Sequence, residues 1–261
     1  MFIDPTVPVV AIFGSNFGDP TTPPEVKDAE LLAAELLAAA IHRAGALVLS
    51  GAGPRPDQYD ERPGTVKDVS AYTLQNSGDG ESAAWIGVAN AGEARAPRDH
   101  GTSGVVVTPG WRDRRNFVEA CLCDAAIAVG GTSPGTASEA LFSRFLRRRL
   151  TVVVDGPPGE DLTAGELRAR IGNRVDAKGD GLAVDVGIKA AYRWAGITHK
   201  RVRQWSLPTD DATADRVVAR LLKRSSLHQP RPDFEMLIDE PTWDRYVRQA
   251  LISADRWPAA G

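Results

Sequence analysis

Short, almost uninterrupted apolar runs alternate with longer segments of helical periodicity along residues 9–155. Val9–Phe13 is the first run. It stops at Gly14-Ser15-Asn16, and after a Pro-rich loop a strongly helical segment spans about Glu25 to Ala44. A run that is apolar at every position, rather than at every second one, is the pattern of a strand covered on both faces. Gly45 closes the helix, Ala46–Leu49 reads as a second strand, and Gly51-Ala52-Gly53 repeats the glycine exit. Residues 54–63 are polar and Pro-rich and read as an inserted loop before a helix from about Thr65 to Leu74. Strands are then predicted at Ala84–Ala89 and Gly104–Thr108, the second after a loop carrying Arg95, Arg98 and His100. A helix over Arg112–Cys123 follows, then a strand over Ala125–Val129, a helix from Gly135 to about Arg148, and a strand over Leu150–Val154.

Apolar strands alternating with amphipathic helices predict an α/β fold: a Rossmann-like, doubly wound parallel sheet with helices on both faces and a C-terminal extension. All strands of such a sheet end at one edge. Gly14-Ser15, Gly51-Ala52-Gly53, Arg112–Asn116 and Gly130–Glu139 are therefore expected to converge there, although they are distant in sequence. Beyond about Asp155 the pattern is less regular. Asp210–Lys223 has helical amphipathicity with Thr209 or Asp210 as its cap, and Pro241–Ile252 reads as another helix. Phe234–Ile238 reads as a short strand or packed extended segment, and the Gly/Asp-rich stretch 172–187 as a loop, a lid or a partner surface. Residues 1–155 are taken as the Rossmann-like core, with 156–261 as an extension packing on it in the same domain.

Composition narrows the partners. The 261 residues are 43% hydrophobic and 25% charged, as in ordinary soluble globular proteins. Lys+Arg 31 against Asp+Glu 34 leaves a net charge of −3, so no overall basic field invites a nucleic-acid polymer or an anionic membrane. Small ligands are expected instead. No signal-peptide pattern opens the chain, and Glu35 interrupts the Ala/Leu-rich run from Leu31 to Ile41, so a cytoplasmic protein is expected. Cys121 and Cys123 lie two apart in a predicted helix and point to different faces, which fits reduced packing residues. His42, His100, His199 and His228 lack metal-ligand spacing, and no metal or resident cofactor is expected.

The candidate chemistry lies in Gly130-Gly131-Thr132-Ser133-Pro134-Gly135-Thr136-Ala137-Ser138-Glu139. Glycines let backbone approach a ligand closely, and the free amides and positive dipole end of the following helix favour an anion. Glu139 follows Thr136 by three residues, so both project from one helix face. A carboxylate suits a sugar hydroxyl or water beside the phosphate better than the phosphate itself. Arg115, opening the preceding helix, offers planar donors for a phosphate or carboxylate; a solvated basic cluster with Arg112 and Arg114 is the alternative. Arg144, Arg147, Arg148 and Arg149 fit a helix C-terminus. Trp85, Trp194, Trp205 and Trp243 read as packing residues. The letters Gly131-x-Ser133-x-Gly135 match a hydrolase elbow, but Pro134 lacks the N–H that an oxyanion hole needs. No Walker lysine follows the glycines, and the first turn lacks the dinucleotide G-x-G-x-x-G.

At Arg115-Asn116, Asp124-Ala125, Gly130-Gly131 and Gly135-Thr136-Ala137-Ser138-Glu139, with the exit Gly14-Ser15, the chain resembles the Lonely Guy (LOG)-like, "lysine decarboxylase-like" family of the SLOG superfamily, over roughly residues 9–155. The resemblance implies a Rossmann-type nucleotide binder. Enzymes of that family cleave the N-glycosidic bond of a nucleoside 5′-monophosphate, giving free base and ribose 5-phosphate. On that template Glu139 and Arg115 are catalytic, and Gly14, Ser15, Gly51, Gly53, Gly130, Gly131, Thr132, Gly135, Thr136 and Asn116 contact the phosphate or nucleotide. Glu139 would stabilise an oxocarbenium-like ribosyl centre or align water. A homodimer or higher homo-oligomer is also implied. The chain departs from the family's P-G-G-x-G-T-x-x-E and R-K motifs: Thr132-Ser133-Pro134 replace one loop residue, Val129 stands for proline, and Asn116 for lysine. A noncatalytic sensor or carrier of a nucleotide-derived ligand is the alternative.

Overall fold

The computed structural model describes residues 6–14, 23–51, 65–75, 85–90, 104–108, 112–130, 133–157, 159–172, 182–223 and 240–257. The expectations placed on Ser15, Gly53, Arg95, Arg98, His100, Gly131, Thr132, His228 and the strand at 234–238 lie outside the described residues.

The strands are β1 (Val9–Phe13), β2 (Leu47–Gly51), β3 (Trp85–Asn90), β4 (Gly104–Thr108), β5 (Ala125–Val129), β6 (Arg149–Val154), β7 (Leu162–Thr163), β8 (Arg201–Val202) and β9 (Gln204–Ser206). Seven of them form one sheet in the order β4-β3-β2-β1-β5-β6-β9, every neighbouring pair parallel, while β7 and β8 pair antiparallel beside it. The order reverses between β1 and β5. In a doubly wound sheet the crevice outside the carboxyl ends of those two strands is where a ligand fits.

The helices are α1 (Pro24–Arg43), α2 (Val66–Gln75), α3 (Arg112–Leu122), α4 (Pro134–Phe145), α5 (Ala164–Ile171), α6 (Ala183–Ile197), α7 (Asp211–Leu222) and α8 (Glu240–Ser253). Strand alternation divides them into two layers. Val10 and Ile12 of β1, with Ile127 and Val129 of β5, pack under α1, α2 and α7; Val9, Ala11 and Phe13, with Ala126 and Ala128, pack under α3, α4, α5, α6 and α8. Both central strands are buried along their whole length, which explains their unbroken apolar runs. Among the described residues, no helix is long and apolar enough to cross a membrane.

The region after Asp155 holds more regular structure than its sequence suggests. β9 adds a parallel strand to the edge of β6, and α7 returns to the α1 layer, where Asp211 and Asp215 meet Arg43 at 2.9 and 2.7 Å. The predicted loop at 172–187 is corrected from Ala183 onward, where α6 begins. Tertiary contacts override its poor local signal: Gly187 lets the helix lie against the Phe117 ring, where a Cβ would stand 2.5 Å from Cζ, and Asp185 takes a two-point contact from Arg114 at 3.0 and 2.6 Å. Asp244 of α8 accepts from the Ala183 N–H and so satisfies one orphan donor of α6.

Candidate functional site

Two of the glycines at strand exits meet α2. Gly14 follows β1 and packs against Val66; Gly51 ends β2, and a Cβ there would stand 2.7 Å from the Lys67 ammonium. A third, Gly130, follows β5 with φ 75°, a left-handed angle that favours glycine, and lies against the Glu30 carboxylate of α1. Burial, then the nearby negative charge of Asp155, pushes the Glu30 carboxyl above its usual range.

The turn into α4 differs from its sequence reading. The helix starts at Pro134, not after Gly135; Ser133 is its cap, with Oγ accepting from the Thr136 N–H at 3.2 Å and sharing a 2.8 Å hydrogen bond with the Thr136 hydroxyl. Proline suits the first helical position because its missing N–H is an orphan there anyway. Ser133 thus acts as a capping group. Gly135 lies in the first turn, and an added Cβ would meet open space there. Behind this turn, Asn116 Nδ2 donates to Ser138 Oγ at 2.7 Å and to the Gly135 carbonyl at 3.4 Å, while Ser138 Oγ donates to the same carbonyl at 2.7 Å. Asn116 is bonded to the back of the turn, so it holds the amides of α4 in place.

At the carboxyl edge four ionisable side chains come together out of solvent. Glu139 of α4 is 1% exposed and Glu119 of α3 is fully buried; Lys67 of α2 is 4% and Arg115 of α3 is 7% exposed. Lys67 Nζ donates to Glu139 Oε1 at 3.1 Å, and Arg115 Nε stands 3.2 Å from Glu119 Oε1, one helical turn along α3. Arg115 also donates to Asn116 Oδ1 at 3.4 Å. Burial, opposed by Lys67 and Arg115 and assisted by Glu139, pushes the Glu119 carboxyl up to about 8. The convergence expected of Gly14, Gly51, Arg115, Asn116, Gly130, Gly135, Thr136 and Glu139 is therefore real as an edge. The acid, however, faces a lysine inside the protein rather than open solvent.

Lys67, Glu119 and Glu30 lie at this candidate site and are not among the residues that the sequence points to. Glu119 had a visible sign in its spacing of four from Arg115, and Lys67 in its place just after a predicted strand exit and loop. Asp124 falls at the opposite edge, where Oδ2 accepts from the Val9 N–H at 2.8 Å. Arg148 is there too, donating to the Ala120 and Cys121 carbonyls at 3.2 and 2.9 Å; it caps α3, whereas the sequence placed it on the helix ending nearby. Cys121 and Cys123 are free and buried. The tryptophans pack: Trp85 Nε1 donates to Ser50 Oγ, and the Trp205 ring takes cation–π contacts from the guanidinium groups of Arg203 and Arg220. Among the described residues no group of three His, Cys, Asp or Glu is placed to hold a metal.

Strand order and helical layers define a Rossmann-like α/β protein with its candidate site at the topological switch point. Solved structures with this architecture include the molybdenum cofactor carrier protein of Chlamydomonas reinhardtii, at a TM-score of 0.51 and 16% identity over 84% of this chain and 99% of that one. A second structure of the Moco carrier protein from the same organism gives a TM-score of 0.49 at 18% identity, over 84% and 99% of the two chains. The protein TM1055 gives 0.41 at 21% identity, over 56% of this chain and 73% of that one. The sequence matches no protein-family model and no curated protein.

Proposed function

We propose that this protein holds a small phosphorylated, nucleotide-derived ligand at the carboxyl edge between β1 and β5, as a carrier or sensor. The phosphate would lie near the start of α4, where the helix dipole favours an anion, with Asn116 and Ser138 keeping that turn in shape. The observation that carries a holding role over a cleaving one is the state of Glu139: it is 1% exposed and takes the Lys67 ammonium at 3.1 Å. A carboxylate so engaged is a poor partner for a developing ribosyl cation. The replacement of the family's lysine by Asn116 points the same way. A molybdenum cofactor carrier with this architecture provides a precedent for carriage on such a sheet.

The second reading is a nucleoside 5′-monophosphate phosphoribohydrolase. Its support is that Arg115, Thr136 and Glu139 share one edge as the motif resemblance requires. In that case Lys67 must swing away from Glu139 when nucleotide binds, leaving the acid to face the sugar. We further propose that 156–261 belongs to the same domain, since β9 extends the sheet and α6 and α8 share a core with α3 and α4. Homo-oligomerisation, implied by the family resemblance, is measured by sedimentation.

The deciding experiment titrates the pure protein with AMP, CMP, GMP, UMP and isolated molybdenum cofactor, while free base is followed by chromatography. Binding without base release supports carriage. Base release that is lost in Glu139→Gln, with binding spared, replaces it by the hydrolase. No binding across the panel refutes both.

A further inference from the structure

We propose that the C-terminal ends of α4, α6 and α8 form a docking surface for an acidic segment of a partner protein. The surface lies at the amino edge of the sheet, where α4 runs out into the start of β6, away from the crevice between β1 and β5. It stands or falls independently of the ligand reading.

This face is basic in a chain that is acidic overall. Residues 144–149 and 193–203 hold arginine or lysine at eight positions and no acid, whereas the whole chain has a net charge of −3. The first stretch ends α4 and begins β6; the second ends α6 and runs through β8. α8 closes the group. Its Arg256 guanidinium lies over the Phe145 and Trp194 rings at 5.4 and 5.3 Å, and those two rings meet at 5.8 Å. The acid nearest in sequence, Asp255, is engaged by Arg147 at 3.3 Å.

Cations at helix C-termini ordinarily complement the dipole or bond the last carbonyls. That account covers Arg256, whose Nε donates to the Phe145 carbonyl at 2.9 Å, but it does not cover Arg144. Arg144 is half-buried, its Nε is out of solvent without a hydrogen-bond partner, and no carboxylate of the described residues pairs with it. Burial, then Arg149 and Arg256, hold its guanidinium below the usual arginine range. A donor fork so placed is costly to the free protein and is satisfied by a carboxylate brought from outside.

The negative end of α4 does little to repel such a carboxylate, because its carbonyls are taken. Phe142 accepts from the Leu146 N–H at 2.9 Å, Ser143 from the Arg148 N–H at 2.8 Å, Arg144 from the Arg147 N–H at 3.1 Å, and Phe145 from Arg256. The face also carries apolar surface: Ile197, the last residue of α6 and one helical turn beyond Trp194, is 80% exposed. Arginine beside aromatic and aliphatic side chains is the composition of protein interfaces. An exposed isoleucine has no use for a phosphodiester backbone, so the partner is a protein rather than a nucleic acid.

The test uses the full chain and two synthetic peptides, one of glutamates around a central leucine, the other with glutamine in place of every glutamate. Calorimetry should show binding of the acidic peptide alone, weakening as salt is raised. Arg144→Met, which keeps the apolar stem and removes the charge, should weaken it about tenfold, and Ile197→Ser severalfold. With no peptide present, Arg144→Met should melt higher than the wild type at low ionic strength, the gain shrinking as salt screens the repulsion. Equal binding of both peptides, binding of neither, wild-type affinity in either variant, or an Arg144→Met protein that melts no higher each overturns the proposal. So does an oligouridylate that binds this face more tightly than the acidic peptide, which would make it a nucleic-acid surface.

Discussion

The two edges of the sheet bury charge in opposite ways. At the amino edge, Asp124 accepts from the Val9 N–H and Arg148 donates to the last carbonyls of α3, so each buried charge satisfies main chain. At the carboxyl edge, Lys67 pairs with Glu139 and Arg115 with Glu119. Charges bonded to backbone fix strand register and helix ends, and they are self-sufficient. A cluster of opposed charges adds little net stability over well-packed apolar residues, because desolvation offsets attraction. It stands at the edge where ligands commonly bind in α/β sheets.

The comparison breaks most visibly at Lys67. Lys67→Met removes the ammonium from Glu139, and urea denaturation should show a loss of about 3–5 kcal/mol that shrinks as pH falls through about 8 and Glu119 takes up its proton. A pH-independent loss would mean that the lysine matters only for packing. Glu119→Gln should act in the opposite sense. The folded wild type keeps the Glu119 proton up to about 8, whereas the unfolded chain releases it in the ordinary glutamate range. Wild-type stability therefore falls as pH rises through that window, and Gln removes the fall. In thermal melts the variant should gain on the wild type with increasing pH, the difference levelling off above about pH 8. Asp124→Ala orphans the Val9 N–H and should cost about 1–3 kcal/mol, with phosphate affinity unchanged; altered affinity would erase the division between the edges. Ser133→Ala removes the α4 cap and should cost about 1 kcal/mol in the same denaturation assay while weakening phosphate binding.

Much of this arrangement is readable from sequence, for identifiable reasons. β1, β4 and β5 have the residues expected of them because buried parallel strands are continuous apolar runs closed by glycine or polar residues. The shared edge of Gly14, Gly51, Gly130 and Glu139 follows from topology alone. α6 was hidden because Gly187 and Asp185 look like loop residues; the first is needed for the close approach of Phe117, the second for Arg114, and both partners are some 70 positions away in sequence. The start of α4 was misread because Gly135 drew attention from the Ser133-Pro134 pair that caps and opens it. Lys67 was missed for a subtler reason. A lysine in an amphipathic helix ordinarily reads as solvent-facing, and only the packing of α2 against the ends of β1 and β2 turns it inward.

The route of that lysine has a mechanical consequence. α2 belongs to one helical layer and α4 to the other, so the contact from Lys67 to Glu139 passes over the strand tips like a clasp joining two covers. To unfasten it, neither cover need slide on the sheet; a single flexible arm has only to rotate.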